Sequence, residues 1–347
     1  MTGRSSQALR DALAFLAGYG LAGSRRPAPG APLDPTTWSR VLEAAESEHL
    51  TGMLVAAIAD GAFPATDEQV KEVRARNADA LATNVELEHH LLEVAEQLDA
   101  EGIEFRVLDG PAHAHIDYEA PALRYFSDVH ILVRSEDFEP AVRTLERPGR
   151  SRSRSSLHPA FDGRFAKGVT VSGADTPSVH VHRTLVAGPL GLAIDRDALF
   201  DESESFVVAD RKLEGLATEK RFLDACFRVA LSRPAPLRSQ RDVAQLALSH
   251  ELDAEHALDL ARQWRAEPVV ARAVDRAWFT LDLADAVPLS AWATHRQPGP
   301  RDGLLIDAYC GGETSARHVF ATSRWIPRRR DRLAYVCALF SRRGAKH

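Results

Sequence analysis

The sequence predicts an α+β protein, a mixed-sheet core flanked by N- and C-terminal helical segments. Three observations lead there. Residues up to about 98 carry apolar side chains at helical spacing. Between about 99 and 212, short apolar runs of period two alternate with turn residues. Beyond about 213, helical spacing returns. The expected division is an N-terminal helical segment over 1–98, a core over 99–212 and a C-terminal helical segment over 213–347.

Taken in order, Thr36 to Ala59 places Trp38, Val41, Leu42 and Ala45, then Leu50, Met53, Leu54 and Ile58, at helical intervals. Gly23 to Pro35 is rich in Pro and Gly and reads as a connecting loop. A long helix is expected over Asp67–Ala100, with Leu87, Leu91, Val94 and Leu98 as its stripe and Gly102 as its stop. Strands are expected over Glu104–Leu108, Asp128–Val133, Val169–Val171, Ser178–Leu185 and Ser205–Val208. Ser135 is placed to cap a helix bearing Phe138, Ala141, Val142 and Leu145. From Thr218 the stripe Phe222, Ala225, Cys226, Val229 opens a second helical region. It closes on a basic helix with Leu333, Val336, Cys337 and Phe340 as its apolar side.

Composition narrows the function. The chain has 347 residues, 45% of them hydrophobic, enough to bury a large core. A net charge of −6 argues against a general nucleic-acid partner. Three widely spaced cysteines offer neither a disulfide framework nor a zinc spacing, and fit a reducing, cytoplasmic setting. No signal peptide and no bilayer-spanning apolar run is expected, so membrane insertion is not. Abundant Ala, Arg, Asp and Gly with few Lys point to a GC-rich genome of the actinobacterial kind.

Alternate residues of a strand share a face. Asp128 and His130 therefore point one way, and Val129, Ile131 and Val133 the other. The same parity groups His180 with His182, against Val179 and Val181. If the two strands pair, these four polar groups converge and two or three of them could hold a divalent ion. The competing reading is a half-exposed polar sheet face, because D-x-H and H-x-H are short patterns.

Several stretches in order resemble one family. They are Glu101-Gly-Ile-Glu-Phe-Arg-Val-Leu-Asp-Gly110, then Leu123-Arg-Tyr-Phe-Ser-Asp-Val-His-Ile-Leu-Val133, then Val179-His-Val-His-Arg-Thr-Leu185. With Asn84–Leu98, Leu237–Leu246 and the Arg-rich run at 327–333, they are similar to the bacterial uncharacterised nucleotidyltransferase family. That resemblance implies a nucleotidyltransferase-type fold. It also implies transfer of a nucleoside monophosphate from an NTP to a small-molecule, peptide or protein acceptor. In active relatives, a D-x-D pair and a third carboxylate on a neighbouring strand hold Mg²⁺.

Against that pattern, Asp128 matches the first carboxylate, while His130 and His180 stand where the other two are expected. Asp109 replaces the lysine before Gly110. Arg124 and His182 match. The resemblance therefore implies catalytic and metal roles for Asp128, His130 and His180, and nucleotide contacts at Asp109, Gly110, Arg124 and His182. Gly110 would admit the backbone close to the phosphates, and Arg124 would support them or form a surface ion pair. Imidazole suits Zn²⁺ or Mn²⁺ better than Mg²⁺. The alternative function is a catalytically inactive binding or scaffold protein, of the kind a biosynthetic gene cluster could use. Arg147, Arg150, Arg152 and Arg154 read as a solvated loop, His89-His90 and His113-x-His115 as exposed histidines, and Cys226 and Cys337 as core.

Overall fold

The fold is taken from a computed structural model, which describes residues 2–146, 149–153, 166–174, 176–284, 287–300, 302–310, 323, 326 and 328–341. Seven strands form one mixed sheet in the order β3-β4-β5-β2-β1-β7-β6. They are β1 (Phe105–Leu108), β2 (Val129–Val133), β3 (Arg150–Arg152), β4 (Gly168–Gly173), β5 (Val179–His182), β6 (Ser203–Val208) and β7 (Arg211–Leu216). β2 is antiparallel to β1 and parallel to β5, and β1 is parallel to β7. The antiparallel pair β3–β4 and the hairpin β6–β7 finish the two edges, and β4 runs antiparallel to β5.

Strand parity sorts the side chains. Val107, Val129, Ile131, Val133, Val171, Val179, Val181 and Leu213 share one buried cluster under the helices Asp67–Ala100 and Phe138–Leu145. Leu132 faces the other way, into a larger cluster built by helices from both ends of the chain. Among the described residues no helix is long and apolar enough to cross a membrane.

The helix Asp67–Ala100 is about 50 Å long at 1.5 Å per residue. Thr66 and Gln69 close its start as a reciprocal capping box. Leu87, Leu91, Val94 and Leu98 are buried as the stripe requires, and Gly102 follows with φ of 68°. Its first turns hold the N-terminal helices through Trp38 Nε1–Glu72 (2.8 Å) and Arg76–Glu46 (2.9 Å). The N-terminal helix Thr2–Gly18 also meets the C-terminal helices. Arg241 donates to the carbonyls of Ala17 and Tyr19, and Ser24 bridges to Leu283.

Several local expectations are corrected. Thr36–Ala59 is two helices, Pro35–Ser47 and Thr51–Ala59, separated by a turn with His49 at φ 57°. A histidine marks the break where a glycine would have announced it, and both halves turn their apolar sides to one core. Ser135 caps nothing. The helix begins at Phe138 behind Asp137, and the Ser135 hydroxyl accepts instead from Arg196 at 3.5 Å. The strand expected over Ser178–Leu185 ends at His182, because Leu185 leaves the sheet for the larger cluster. β7 was not expected, since Arg211, Lys212 and Glu214 obscure its buried positions. Cys226 is core, but Cys337 and Leu333 are exposed, so the last helix buries a different side through Tyr335. The side chains of Val336 and Phe340 lie outside the described residues.

Leu108, Leu132, Leu185, Leu190, Leu199 and Leu216 all belong to the cluster that the flanking helices complete. Each such side chain is worth roughly 1.5–3 kcal/mol when buried, and a whole domain has only about 5–15 kcal/mol to lose. A fragment cut to residues 99–212 is therefore expected to melt without a cooperative transition and to bind a hydrophobic dye. Cooperative melting near the full chain's midpoint would show that the core stands alone.

Candidate metal and nucleotide site

The parallel pairing of β2 with β5 sets His130 opposite His180 and Leu132 opposite His182. With Asp128 one residue before β2, the four polar side chains expected to converge do so on one sheet face. Asp128 Oδ1 lies 3.2 Å from His130 Nε2, and Asp128 Oδ2 lies 3.2 Å from His180 Nε2. Ligand atoms of Asp128, His130 and His180 all fall within 4.8 Å of one another. The His130 and His180 rings stack, with centroids 4.4 Å apart.

The remaining ring nitrogens are also engaged. His180 Nδ1 meets the Thr170 hydroxyl at 2.9 Å, and His130 Nδ1 meets His182 Nε2 at 2.8 Å. Donor and acceptor pairing follows along this chain. With each Nε2–H of His130 and His180 donating to Asp128, Nδ1 of His180 accepts from Thr170, and Nδ1 of His130 accepts from His182. His182 Nδ1 is then left as an acceptor, and it is buried with no partner.

Charge fits this pairing. Burial raises the Asp128 carboxyl, but the bonds from His130 and His180 outweigh it and hold the group well below the carboxylate range. Burial pushes His130 down despite its bond to Asp128. His182 is pushed well down by burial, with nearby Lys167 adding to it.

Beneath this face runs a buried chain of alternating charge. Arg124, 3% exposed, clasps Asp242 with Nε–Oδ1 and Nη2–Oδ2 bonds of 2.8 Å each. Its Nη2 also reaches Asp109 at 3.2 Å, and Nη1 donates to the Tyr125 carbonyl. The other Asp109 oxygen takes Arg228 Nη1 at 2.6 Å, and Arg228 continues to Asp224. Burial would raise Asp109, but Arg228 and Arg124 hold it well below the usual range.

These contacts revise three expectations. Arg124 is no surface ion pair, and its donors are occupied by Asp242, Asp109 and Tyr125. Asp109, expected to contact nucleotide, has one oxygen on Arg124 and the other on Arg228. At Gly110 an added Cβ would lie 2.3 Å from Phe126 Cβ, so the missing side chain makes room for Phe126.

Asp109, His113 and Asp242 also bring ligand atoms within 4.8 Å, but Arg124 already bridges the two carboxylates. His113 is buried and bonded to Asp117 at 2.6 Å, and His90 is buried as well, so neither is the exposed histidine expected. His115 is held by Glu88 at 2.7 Å. Of the basic loop, Arg152 pairs with Glu146 and Glu139 and Arg150 meets Thr176, on an edge strand. Arg147 and Arg154 lie outside the described residues.

Sequence reasoning missed Thr170, Lys167, Arg228 and Asp242 as parts of this site. Arg228 and Asp224 carried a signal in their i,i+4 spacing. Asp242 carried one in the Arg-Asp pair at 241–242. Thr170 and Lys167 carried none. Lys167 is half-buried beside Arg228, Asp224 and Asp109, and burial pushes its ammonium down to about 8.

Breaking a buried pair leaves an uncompensated charge at a cost of about 3–5 kcal/mol, whereas removing both partners costs far less. Arg124→Met and Asp242→Leu are each expected to destabilise the chain by about that amount. The double variant should fall well short of the sum, by about 2 kcal/mol or more. Urea unfolding of the four proteins measures the coupling, and additive losses would contradict the pairing.

The profile of a family described as uncharacterised nucleotidyltransferase matches residues 34–278, which span the sheet and most of the flanking helices. No curated protein matches the chain. Among solved structures, an antigenic nucleotidyltransferase-like protein from Paracoccidioides brasiliensis is 14% identical. The match covers 52% of this chain and 93% of that one, with a TM-score of 0.32. At that score the likeness is partial. The family profile spans well over half of the residues, and the chain belongs to the uncharacterised nucleotidyltransferase family.

Proposed function

We propose that the protein transfers a nucleoside monophosphate from an NTP to a small-molecule, peptide or protein acceptor, using a transition-metal ion in place of Mg²⁺. The observation that carries this is the Asp128–His130–His180 cluster, with one carboxylate and two imidazoles within 4.8 Å. One carboxylate with two nitrogen donors is a poor set for Mg²⁺ and a good one for Zn²⁺ or Mn²⁺. The second layer fits a metal site. If Nε2 of His130 and His180 held an ion, both rings would carry their proton on Nδ1, with the Thr170 hydroxyl as acceptor for His180 and, once its own proton sat on Nδ1, His182 Nε2 as acceptor for His130. A bound divalent ion would supply countercharge to the phosphates during displacement.

The chain's own residues do the rest. Asp128 anchors the cluster and keeps its charge. His182 would stay neutral and, as the Nδ1–H tautomer, would accept from His130 Nδ1–H and so orient that ring. Lys167, half-buried with Asp109, Asp224 and Arg228 nearby, is a further cation at this face. It takes the phosphate-facing role that the family pattern gives to a lysine at 109. Arg124 and Asp242 fix Asp109 and the turn at Gly110 from below. Phosphate enters on the sheet face, and Arg124 acts as a positioning residue.

A second reading is a binding module without turnover, the degenerate-motif alternative. The observation in its favour is that Asp109, in the lysine's place, has both oxygens consumed by Arg124 and Arg228. Incubation with ATP, GTP, CTP or UTP and Mg²⁺, Mn²⁺ or Zn²⁺, read by intact mass of candidate acceptors and by NTP loss, separates the two. The proposal expects NTP consumption with Mn²⁺ or Zn²⁺, lost in Asp128→Ala, and at least about tenfold slower consumption with Mg²⁺. Metal binding should weaken as pH falls through the imidazole range, because the ligand form is the unprotonated one. Nucleotide binding with no consumption under any metal would favour the module, and efficient Mg²⁺ turnover would overturn the metal assignment.

A further inference from the structure

The C-terminal helices line an open groove of about 630 Å³ whose lining shares no residue with the sheet-face cluster. That volume is typical of small-molecule sites. Four arginines line it, Arg233, Arg272, Arg276 and Arg296, in a chain whose net charge is −6. Arg296 is neutralised by Asp302 at 2.8 Å, and Arg233 pairs with Asp307.

Arg272 and Arg276 differ from these. They sit four residues apart on the helix Glu267–Leu281, one turn apart on one face, half-buried, and neither has an ion-pair partner among the described residues. Burial, with Arg272 next, pushes the Arg276 guanidinium down, as expected of a cation short of countercharge. Asp275, exposed on the same helix, is the one further carboxylate in the lining. One turn beyond Arg276 on the same helix stands Phe279, 83% exposed, the most exposed large apolar side chain among the described residues. Ala271 and Ile306 make the nearby wall apolar.

A helix that presents two guanidiniums with no ion-pair partner among the described residues, and a bare aromatic ring, along one open groove has the parts that recognise a phosphate and a flat ring together. Arginine binds phosphate through paired N–H donors, and an exposed phenyl face stacks on heterocycles. We propose that this groove binds a phosphomonoester carried on a flat heterocycle, a ligand of mononucleotide size. Arg272 and Arg276 hold the phosphate, and Phe279 stacks on the ring. The site stands apart from the sheet face and does not depend on what that face does.

Calorimetric titration of the full chain in EDTA tests this, with AMP, adenosine and inorganic phosphate as probes. AMP is expected to bind at one site, more tightly than either inorganic phosphate or adenosine alone. Arg272→Gln and Arg276→Gln should each weaken AMP by about tenfold or more, and Phe279→Ala by about tenfold. Asp128→Ala should leave AMP binding unchanged, which separates this groove from the sheet-face site. AMP binding that survives both arginine changes, is lost in Asp128→Ala, or is absent up to millimolar concentration would overturn the proposal. An RNA oligonucleotide that binds more tightly than AMP through the same arginines would overturn the choice of ligand.

Discussion

The candidate site depends on the register of one strand pair. His130 opposes His180 because β2 and β5 run parallel with Val129 against Val179. A slip of one residue would turn Val179 and Val181 toward Asp128 and drive both histidines of β5 into the apolar cluster. The register is pinned from the far side, where valines and isoleucine from four neighbouring strands fill the space under two helices. Hydrophobic burial thus does the positioning, and the polar face receives its geometry from it. The cost of misplacing even one imidazole in that cluster exceeds what the polar contacts alone could recover.

The second constraint is electrostatic. Asp242, Arg124, Asp109, Arg228 and Asp224 alternate in sign through a region with little water access. Ion pairs of this kind contribute little net stability compared with apolar replacements, and their use is to fix positions. Here they tie the helix Leu237–Ala247, through Asp242, and the helix Thr218–Ala230, through Arg228 and Asp224, to the turn after β1. Asp109 occupies an uncommon backbone conformation, with φ of 52° and ψ of −130°, and its two guanidinium contacts are what hold it there. These two C-terminal helices are therefore part of the site's foundation.

Much of this was legible in the sequence. Strand parity at 128–133 and 179–182 identified which side chains meet, because period two is unambiguous wherever valines alternate with polar residues. The stripe of Asp67–Ala100 and its glycine stop were equally plain. What stayed hidden has a common physical origin. β7 buries alternate positions among charged residues, so composition masks its pattern. The break at His49 uses a left-handed non-glycine residue, which no propensity marks. The partners of Arg124 lie 15 and 118 residues away, and long-range pairing leaves no local trace. Gly110 was tied to phosphate by motif, whereas Phe126 explains its missing side chain, a steric cause visible only in three dimensions.

The chemistry on the sheet face follows from the donor set. The cluster provides one anion where the family pattern provides three, and two imidazoles whose far nitrogens already have partners. Such a set selects its ion by ligand type. X-ray diffraction from crystals soaked in Zn²⁺, measured on both sides of the zinc absorption edge, tests this most directly. One anomalous peak is expected, bonded to Asp128 and to Nε2 of both His130 and His180, and absent in Asp128→Ala. Zinc bound only elsewhere, or at this face through His182 with His130 and His180 still paired to Asp128, would contradict it.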